Sequence, residues 1–532
     1  MPAYRNISFA VVGSVNDLLR NGANVVVKGE LTKELMARNT QVEFPTERYL
    51  FVPRRHHDIT SQFAETMWVL AGRNDIGWLT KYLRRAPNFS DDGHTWRGGY
   101  GPRLRNWAGL DQIDAVRQRL LADRTSRQAV MVLFDPARDF YPSKDIPCNN
   151  WLGWLIRDGR LHMSAALRSN DVWWGFSGVN AFEWSILHEM LAFWTGADIG
   201  RADYFAMSFH LYERHFDRGN QAVTEFQGLT PYDFGVQRAE FATPWDGFRD
   251  RLQRWFELEG RISDQPDACL GSYGAVGDAL LDSGLTIVHV AQAHKQWGVD
   301  RLARELATLP PFDYVAALYE KYARTYPGLL TTIPQKPIAD FFAAQARSTS
   351  DLLPAFRTAV KKLHVDKDRA YGGAWKRRGE LVSIQPNIAR KVDRLDTLAA
   401  TGRGLTGESA LDTAVDLVVY VEKYRLFLAE SLPPGALVAP DAPLPLSSSE
   451  ANFDALCDRL DLTPRQRMLS EVVADVNAAF DACWREAEAG ANVDRRLELA
   501  NTLSRYAAEL LALLVHSDRK SLTLFIQSGS NP

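Results

Sequence analysis

The strongest constraint on this chain is a change of hydrophobic period near residues 325–337, where proline and glycine become dense (TYPGLLTTIPQKP). Before that boundary, short β-branched or apolar runs bounded by turn residues alternate with helix-period segments. Val25–Val27, Tyr49–Val52 and Ala129–Phe134 predict strands. Trp151–Ile156 and Leu161–Leu167, separated by Arg157-Asp158-Gly159, predict a hairpin. Phe63, Met67 and Leu70, then Ile76 and Leu79, recur at helical spacing, and residues 181–195 (AFEWSILHEMLAFWT) read as a buried helix. Gly93–Gly101 reads as a loop. From 339 to 430 only long, charged, helix-period segments remain. A Pro/Ser-rich connector follows at 433–449, then a helix start at Thr463-Pro464 and a last helix over about 494–516. The expected fold class is therefore α+β, a mixed sheet with packed helices, followed by an all-α C-terminal region. The expected domains are 1–330, 339–432 and 450–532.

Composition narrows what such a chain does. Sixty-two basic residues against 65 acidic ones leave a net charge of −3, which argues against coating nucleic acid or an anionic membrane. The same balance leaves room for one phosphate met by a few local arginines. Four cysteines in 532 residues do not make a disulfide framework and suit a reducing compartment. The amino terminus lacks the pattern of a secretory signal, and Leu510–Val515 is too short to span a bilayer. A soluble, cytoplasmic protein is expected.

Cys148, in Ile146-Pro147-Cys148-Asn149-Asn150-Trp151, stands just before the hairpin. A cysteine alone is usually a small buried hydrophobe. Here Arg168-Ser169-Asn170-Asp171 follows the second strand, and an arginine beside a thiol favours the nucleophilic thiolate. The segment PCNNWLGWLIRDGRLHMSAALRSNDVWWG…VNAFEWSILHEMLA, followed by FHLYERH, resembles the thymidylate synthase and pyrimidine-nucleotide hydroxymethylase superfamily. That superfamily carries a Pro-Cys nucleophile, an Arg-Ser-x-Asp motif, an asparagine heading a buried helix and a His-x-Tyr. AETMWVLAGRNDIGWL, YGPRLRNW and RTSRQAVMVLFDP match three further motifs in the same order.

The resemblance implies a thymidylate synthase-like sheet and one-carbon transfer from 5,10-methylenetetrahydrofolate to C5 of a pyrimidine nucleoside 5′-monophosphate. On that implication Cys148 adds to C6 and makes C5 nucleophilic. Glu65 moves protons through ordered water, and Tyr100 assists removal of the C5 proton. Arg168 and Ser169 hold the phosphate, with Arg127 donated across a homodimer interface and Lys28 nearest a missing phosphate arginine. Asn180 reads the base edge, His210 and Tyr212 hold the sugar, and Asp171 meets the folate pteridine. Without the motifs, Glu65 reads as a rim residue, His210 and Tyr212 as bonded core residues, and the tryptophans of 151–194 as core.

Four departures bear on the product. Asn149 follows the nucleophile where reductive synthases usually carry histidine, and PNFSDDGHTWRGG replaces the tryptophan-rich segment that shields the exocyclic methylene intermediate. The amino-terminal phosphate arginine is absent, and TPYDFGVQRAEFATPWDGF replaces the short closing tail. A wetter site gives water, rather than hydride, to the methylene, so hydroxymethylation is favoured over reductive methylation as a thymidylate synthase. Asn180 favours uracil (dUMP), with dCMP or CMP left open; aligning it requires one inserted residue in Phe176-Ser177-Gly178-Val179. Ribose or deoxyribose is not decided.

DRAYGGAWKRRGELVSIQPNIARKVDRL…SALDTAVDLVVYVEKYRLFL resembles a helical domain found beside modified-base enzymes, nucleotide-modification-associated domain 1. The matching residues include Tyr371, Trp375, Lys391, Arg394, Asp412, Asp416 and Tyr420. Asp412 and Asp416 share a helix face on which two carboxylates could hold a divalent metal, and Lys391 with Arg394 could meet a phosphate. The alternative for both is a salt-bridged helix pair. A third functional reading, of another class, is a non-catalytic nucleotide-binding or assembly protein; a retained nucleophile speaks against it.

Overall fold

Seven strands of the amino-terminal part pair into one sheet, in a computed structural model that describes residues 2–401, 409–432, 450–463 and 467–530. Two compact units result: Met1–Phe226 with Thr230–Phe342, and Gln227–Leu229 with Ala343–Pro532.

In the first unit the strands are β1 (Ala3–Tyr4), β2 (Ala23–Val27), β3 (Glu30–Val42), β4 (Val130–Val132), β5 (Asn149–Arg157), β6 (Arg160–Asp171) and β7 (Asp198–Tyr212). Their order is β1-β3-β7-β6-β5-β4, with β2 paired to β3. The expected β5–β6 hairpin is present, turning on Asp158 and Gly159, both at positive φ as a two-residue hairpin turn requires. β6 and β7 run parallel, so their carboxyl ends finish side by side, with Asp171 opposite His210. That juxtaposition positions the site.

The helices of this unit include α1 (Ile7–Asn21), α2 (Ile59–Leu70), α3 (Tyr100–Arg105), α4 (Gln112–Ala122), α5 (Ala181–Thr195), α6 (Trp245–Asp264), α7 (Ala279–Ala307) and α8 (Asp313–Ala323), beside others such as Phe216–Glu225. Every residue of α5 except Phe193 is buried, as its apolar run implied. It packs on β6, β7 and α2. Leu152, Trp154, Ile156, Met163, Ala165, Leu167 and Tyr204 fill one side of the sheet. On the other side Val132, Trp151, Ala166 and Phe205 form a row across four strands. Three of these remain open to solvent: Val132 is 52%, Trp151 40% and Phe205 37% exposed.

Two expectations for this unit need correction. Tyr49–Val52 is not a strand but a buried irregular segment. Its amides are satisfied by side chains instead of a ladder: Leu50 N–H donates to His57 Nδ1 and Phe51 N–H to Ser8 Oγ. β3, the longest strand before the hairpin, was not anticipated. Its residues (ELTKELMARNTQV) are mostly polar, and pairing with β2 and, along most of its length, with β7 makes them a strand.

The second unit is helical throughout its described residues: α9 (Thr349–Tyr371), α10 (Gln385–Thr401), α11 (Ala410–Ala429), α12 (Glu450–Asp458), α13 (Leu469–Glu488), α14 (Val493–Ser517) and α15 (Arg519–Ser530), with short turns. Helices from both sides of the 433–449 stretch share one core, in which Phe356, Ile388, Leu417, Phe453, Val476 and Leu511 take part. The connector at 433–449 and Pro464 lie outside the described residues. No helix among the described residues is long and apolar enough to cross a membrane.

Candidate active site

A cleft of about 770 Å³ opens in the first unit where the carboxyl ends of β6 and β7, the start of β5, α2 and the 81–100 segment meet. Glu65, Tyr100, Cys148, Ser169, Asp171, Asn180, His210 and Tyr212 all line it. These residues are spread over almost 150 positions of sequence, and the strand ends bring them to one place.

Cys148 is the residue just before β5. Its carbonyl accepts from Arg168 N–H at 2.9 Å, while the Arg168 side chain donates through Nε to Pro147 O (3.0 Å) and through Nη2 to Ile146 O (2.7 Å). The arginine thus straps the Cys148 segment as well as placing a positive charge beside it. Burial nevertheless pushes the thiol above its ordinary pKa; Arg168 opposes this and Asp145 adds to it. Arg168 thus acts in the expected direction, but in this cleft desolvation outweighs it.

Glu65, on α2, is 8% exposed, and burial lifts its carboxyl to about 7, against the pull of Arg85 and with a contribution from Asp145. A group poised near neutrality can both give and take a proton. Tyr100 lies at the start of α3 and its phenol is raised by burial and by Cys148. Asp171 caps the turn after β6 by accepting from Trp173 N–H at 2.8 Å, and burial raises its carboxyl.

An amide chain runs from Asn149, the residue after Cys148, to Asn180. Trp184 Nε1 donates to Asn149 Oδ1 at 3.0 Å. Asn149 Nδ2 donates to Tyr100 Oη at 2.7 Å and to Asn180 Oδ1 at 3.3 Å. Asn180 Nδ2 then faces Asn170 Oδ1 at 3.5 Å. Because an indole N–H only donates, each amide in the chain is held in one orientation. Sequence reasoning marked Asn149 as a departure but gave it no role. It also passed over Asp145, Arg85 and Glu183, although an acid inside the apolar α5 run was a visible signal.

The outer wall is aromatic and basic. Trp68, Phe89, Trp96 and Trp174 line it with Lys81, Arg84 and Arg85. Phe89 stacks on Trp96 with ring centroids 4.8 Å apart, and the Arg85 guanidinium lies 5.0 Å from the Trp174 ring. The segment taken as a lost shield therefore still supplies Phe89 and Trp96, the latter donating to Asp145 Oδ2 at 2.7 Å. Such a wall suits a flat aromatic ligand with a carboxylate tail.

Two expected phosphate ligands lie elsewhere. Lys28 sits exposed at the tip of the β2–β3 hairpin, with φ of 51°. Arg127 is exposed in a separate hollow beside Arg119 and Gln128. In the second unit, Asp416 accepts from Lys367 and Lys391, each at 2.6 Å, and Asp412 is spent on Ser409 in a capping box. Arg394 follows Lys391 by one helical turn, and the Trp375 ring lies 5.0 Å from Lys423 Nζ. This is the salt-bridged arrangement, and no group of three metal-ligating side chains occurs among the described residues. The side chain of Tyr371 lies outside the described set.

Comparison with known proteins agrees with this geometry. Residues 13–232 match the family model described as Thymidylate synthase. The chain is 35% identical over 289 residues to the deoxyuridylate hydroxymethyltransferase of Bacillus phage SP01, covering 52% of this chain and 73% of that protein. It is 28% identical over 305 residues to the protein of the same name from Delftia phage PhiW-14 (54% and 80% covered). A putative thymidylate synthase of Methanothermobacter marburgensis is 34% identical over 199 residues (37% and 85% covered). With its strand-end cleft, its strapped cysteine and these relatives, the chain belongs to the thymidylate synthase family.

Proposed function

We propose that this protein is a one-carbon transferase that hydroxymethylates C5 of a uracil nucleotide, dUMP, with 5,10-methylenetetrahydrofolate as donor. The observation that carries the reading is a strapped cysteine sharing one cleft with a carboxyl poised near neutrality, in a chain related to two deoxyuridylate hydroxymethyltransferases.

The cleft residues fit the donor: the aromatic wall would take its pteridine and aminobenzoyl rings, Asp171 would meet pteridine nitrogens, and Lys81, Arg84 and Arg85 would answer the glutamate carboxylates. When bound, the folate supplies a methylene group at the oxidation level of formaldehyde. Cys148 attacks C6 of the base as thiolate, which makes C5 an enolate-like nucleophile. Tyr100 takes part in removing the C5 proton, and Glu65 hands a proton to the ring oxygen O4 through water. Arg168 and Ser169 hold the phosphate, while His210 and Tyr212 orient the sugar. The exocyclic methylene that results accepts water. Polar groups on the cleft wall, Glu65 and Asp145 among them, are able to hold that water.

The fixed amide chain supports uracil. Asn180 Oδ1 accepts from Asn149 and keeps a second lone pair for N3–H, while its Nδ2 is left for O4. Cytosine, with donor and acceptor exchanged, asks for the opposite orientation. A homodimer is proposed from the open sheet face, where the Val132–Trp151–Phe205 row together with Val130, Leu155 and Met207 exposes an apolar patch. Arg127 is then available to a partner's phosphate site.

Incubation with methylenetetrahydrofolate and each of dUMP, dCMP, UMP and CMP, followed by mass measurement, tests the reading. A gain of about 30 daltons on dUMP with tetrahydrofolate formed is expected. A gain of about 14 daltons with dihydrofolate instead means a thymidylate synthase, the alternative that the persisting Phe89–Trp96 plate favours.

A further inference from the structure

Glu183 is 2% exposed, and neither of its carboxyl oxygens finds a hydrogen-bond partner. It stands in the first turn of α5, three residues after Asn180 and hence on the same helix face, and α5 packs on α2, which carries Glu65. Of the charged groups around it, Glu65 is the one that acts on it, lifting its carboxyl further above the value that burial alone imposes. The other ionisable side chains of α5 are already engaged: His188 with Leu161 O, and Glu189 with Arg48 and the Phe241 amide. From the cleft side Asp145 and Arg85 face Glu65, and Asp145 also acts on Tyr100 and Cys148. An apolar side chain of the same size would be cheaper to bury than an unanswered carboxyl.

We propose that Glu183 is a positioning residue for Glu65: it keeps its proton and, in the loaded site, turns its O–H to the Glu65 carboxylate, so that Glu65 serves as the base toward the water that attacks the exocyclic methylene. The inference rests on the hydroxymethylase reading. In the step concerned, a water O–H bond breaks and its proton passes to the Glu65 carboxylate. The water oxygen bonds to the methylene carbon, and the C5=CH2 electron pair moves into the ring as the enolate. Collapse of that enolate re-forms the C5=C6 bond and expels Cys148 as thiolate. Glu183 neither gains nor loses a proton; it stabilises the charged form of Glu65 that the step needs. Two like carboxyls side by side do not both ionise, and the more deeply buried one keeps the proton.

The test uses the full chain with Glu183→Gln and Glu183→Met. Infrared difference spectra of the ligand-free protein at neutral pH are expected to show a protonated-carboxyl C=O band that is lost in both Glu183 variants and kept in Glu65→Gln. A band unaffected by Glu183→Gln overturns the proposal. Glu183→Met is expected to match or exceed the parent in thermal stability, yet to lower kcat about tenfold at little change in nucleotide KM. It should also move the Glu65 limb of the kcat–pH profile to higher pH, because the carboxylate loses its donor. Glu183→Gln, which still donates, should restore the limb. A Met variant with parental kcat and pH profile contradicts the proposal. The two readings fail separately: a methyl product from the parent enzyme removes the hydroxymethylase reading while the band stands. A missing band with hydroxymethyl product still formed removes only the role of Glu183.

Discussion

The two units treat buried charge in opposite ways. In the second unit, Glu422 is answered by Arg425 and Ser504, Glu380 by Tyr424 and Arg496, and Asp416 by two lysines. At the cleft of the first unit, Glu65 is lifted to about 7 by burial and Cys148 is held above its ordinary range despite Arg168, and on the helix behind them the Glu183 carboxyl has no hydrogen-bond partner. The difference is not one of fold quality, because away from the cleft the first unit also pairs its charges, as in Arg48–Glu189 and Arg103–Asp139. Unanswered buried groups cost stability, and a carboxyl left so on the helix that packs against Glu65 marks a place where chemistry outweighs it.

Substitutions in the two places should therefore behave differently. Cys148→Ser should lower turnover by about three orders of magnitude or more while nucleotide binding, read by equilibrium dialysis, persists. Glu65→Gln should cost about a hundredfold or more in kcat, measured at saturating substrates. Trp184→Phe frees the amide chain and should narrow the preference for dUMP over dCMP by about tenfold in kcat/KM. Asp416→Ala, in the paired region, should leave turnover unchanged and cost about 1 kcal/mol in denaturant unfolding of the second unit, since its lysines are partly exposed. Burial raises the Asp416 carboxyl, but the two lysines outweigh it and hold it below its ordinary value. Its stabilisation is therefore complete above the unfolded-state pKa of about 4 and is lost as pH falls through the lower folded value. An acid-unfolding curve of the parent and Asp416→Ala should diverge above that range and converge below it.

The thiol offers a finer check. With Cys148 raised by burial, its alkylation by iodoacetamide should be slow at neutral pH and climb as pH rises past the ordinary thiol range. Arg168→Gln should slow it further at a given pH, because the one charge lowering that pKa is removed.

Much of the site was legible in the sequence because it is carried by short, ordered motifs: Pro147-Cys148, Arg168-Ser169 and His210-Tyr212 lie on strand ends that a hairpin and one parallel pairing bring together. What the sequence could not show depends on partners distant along the chain. β3 is polar and becomes a strand by pairing, most of its length against the distant β7, while Tyr49–Val52 looks like a strand but spends its amides on Ser8 and His57. Whether Asp416 meets a metal or two lysines, and whether burial or Arg168 governs the thiol, likewise follow from packing rather than spacing.

The central claim is that water, not hydride, finishes the reaction on a uracil nucleotide held by Cys148. It is tested most directly by running dUMP and methylenetetrahydrofolate in ¹⁸O-labelled water and weighing the product. The account predicts a 5-hydroxymethyl nucleotide about 2 daltons heavier than that formed in ordinary water, with tetrahydrofolate released. A methyl product of unchanged mass, with dihydrofolate formed, would contradict it.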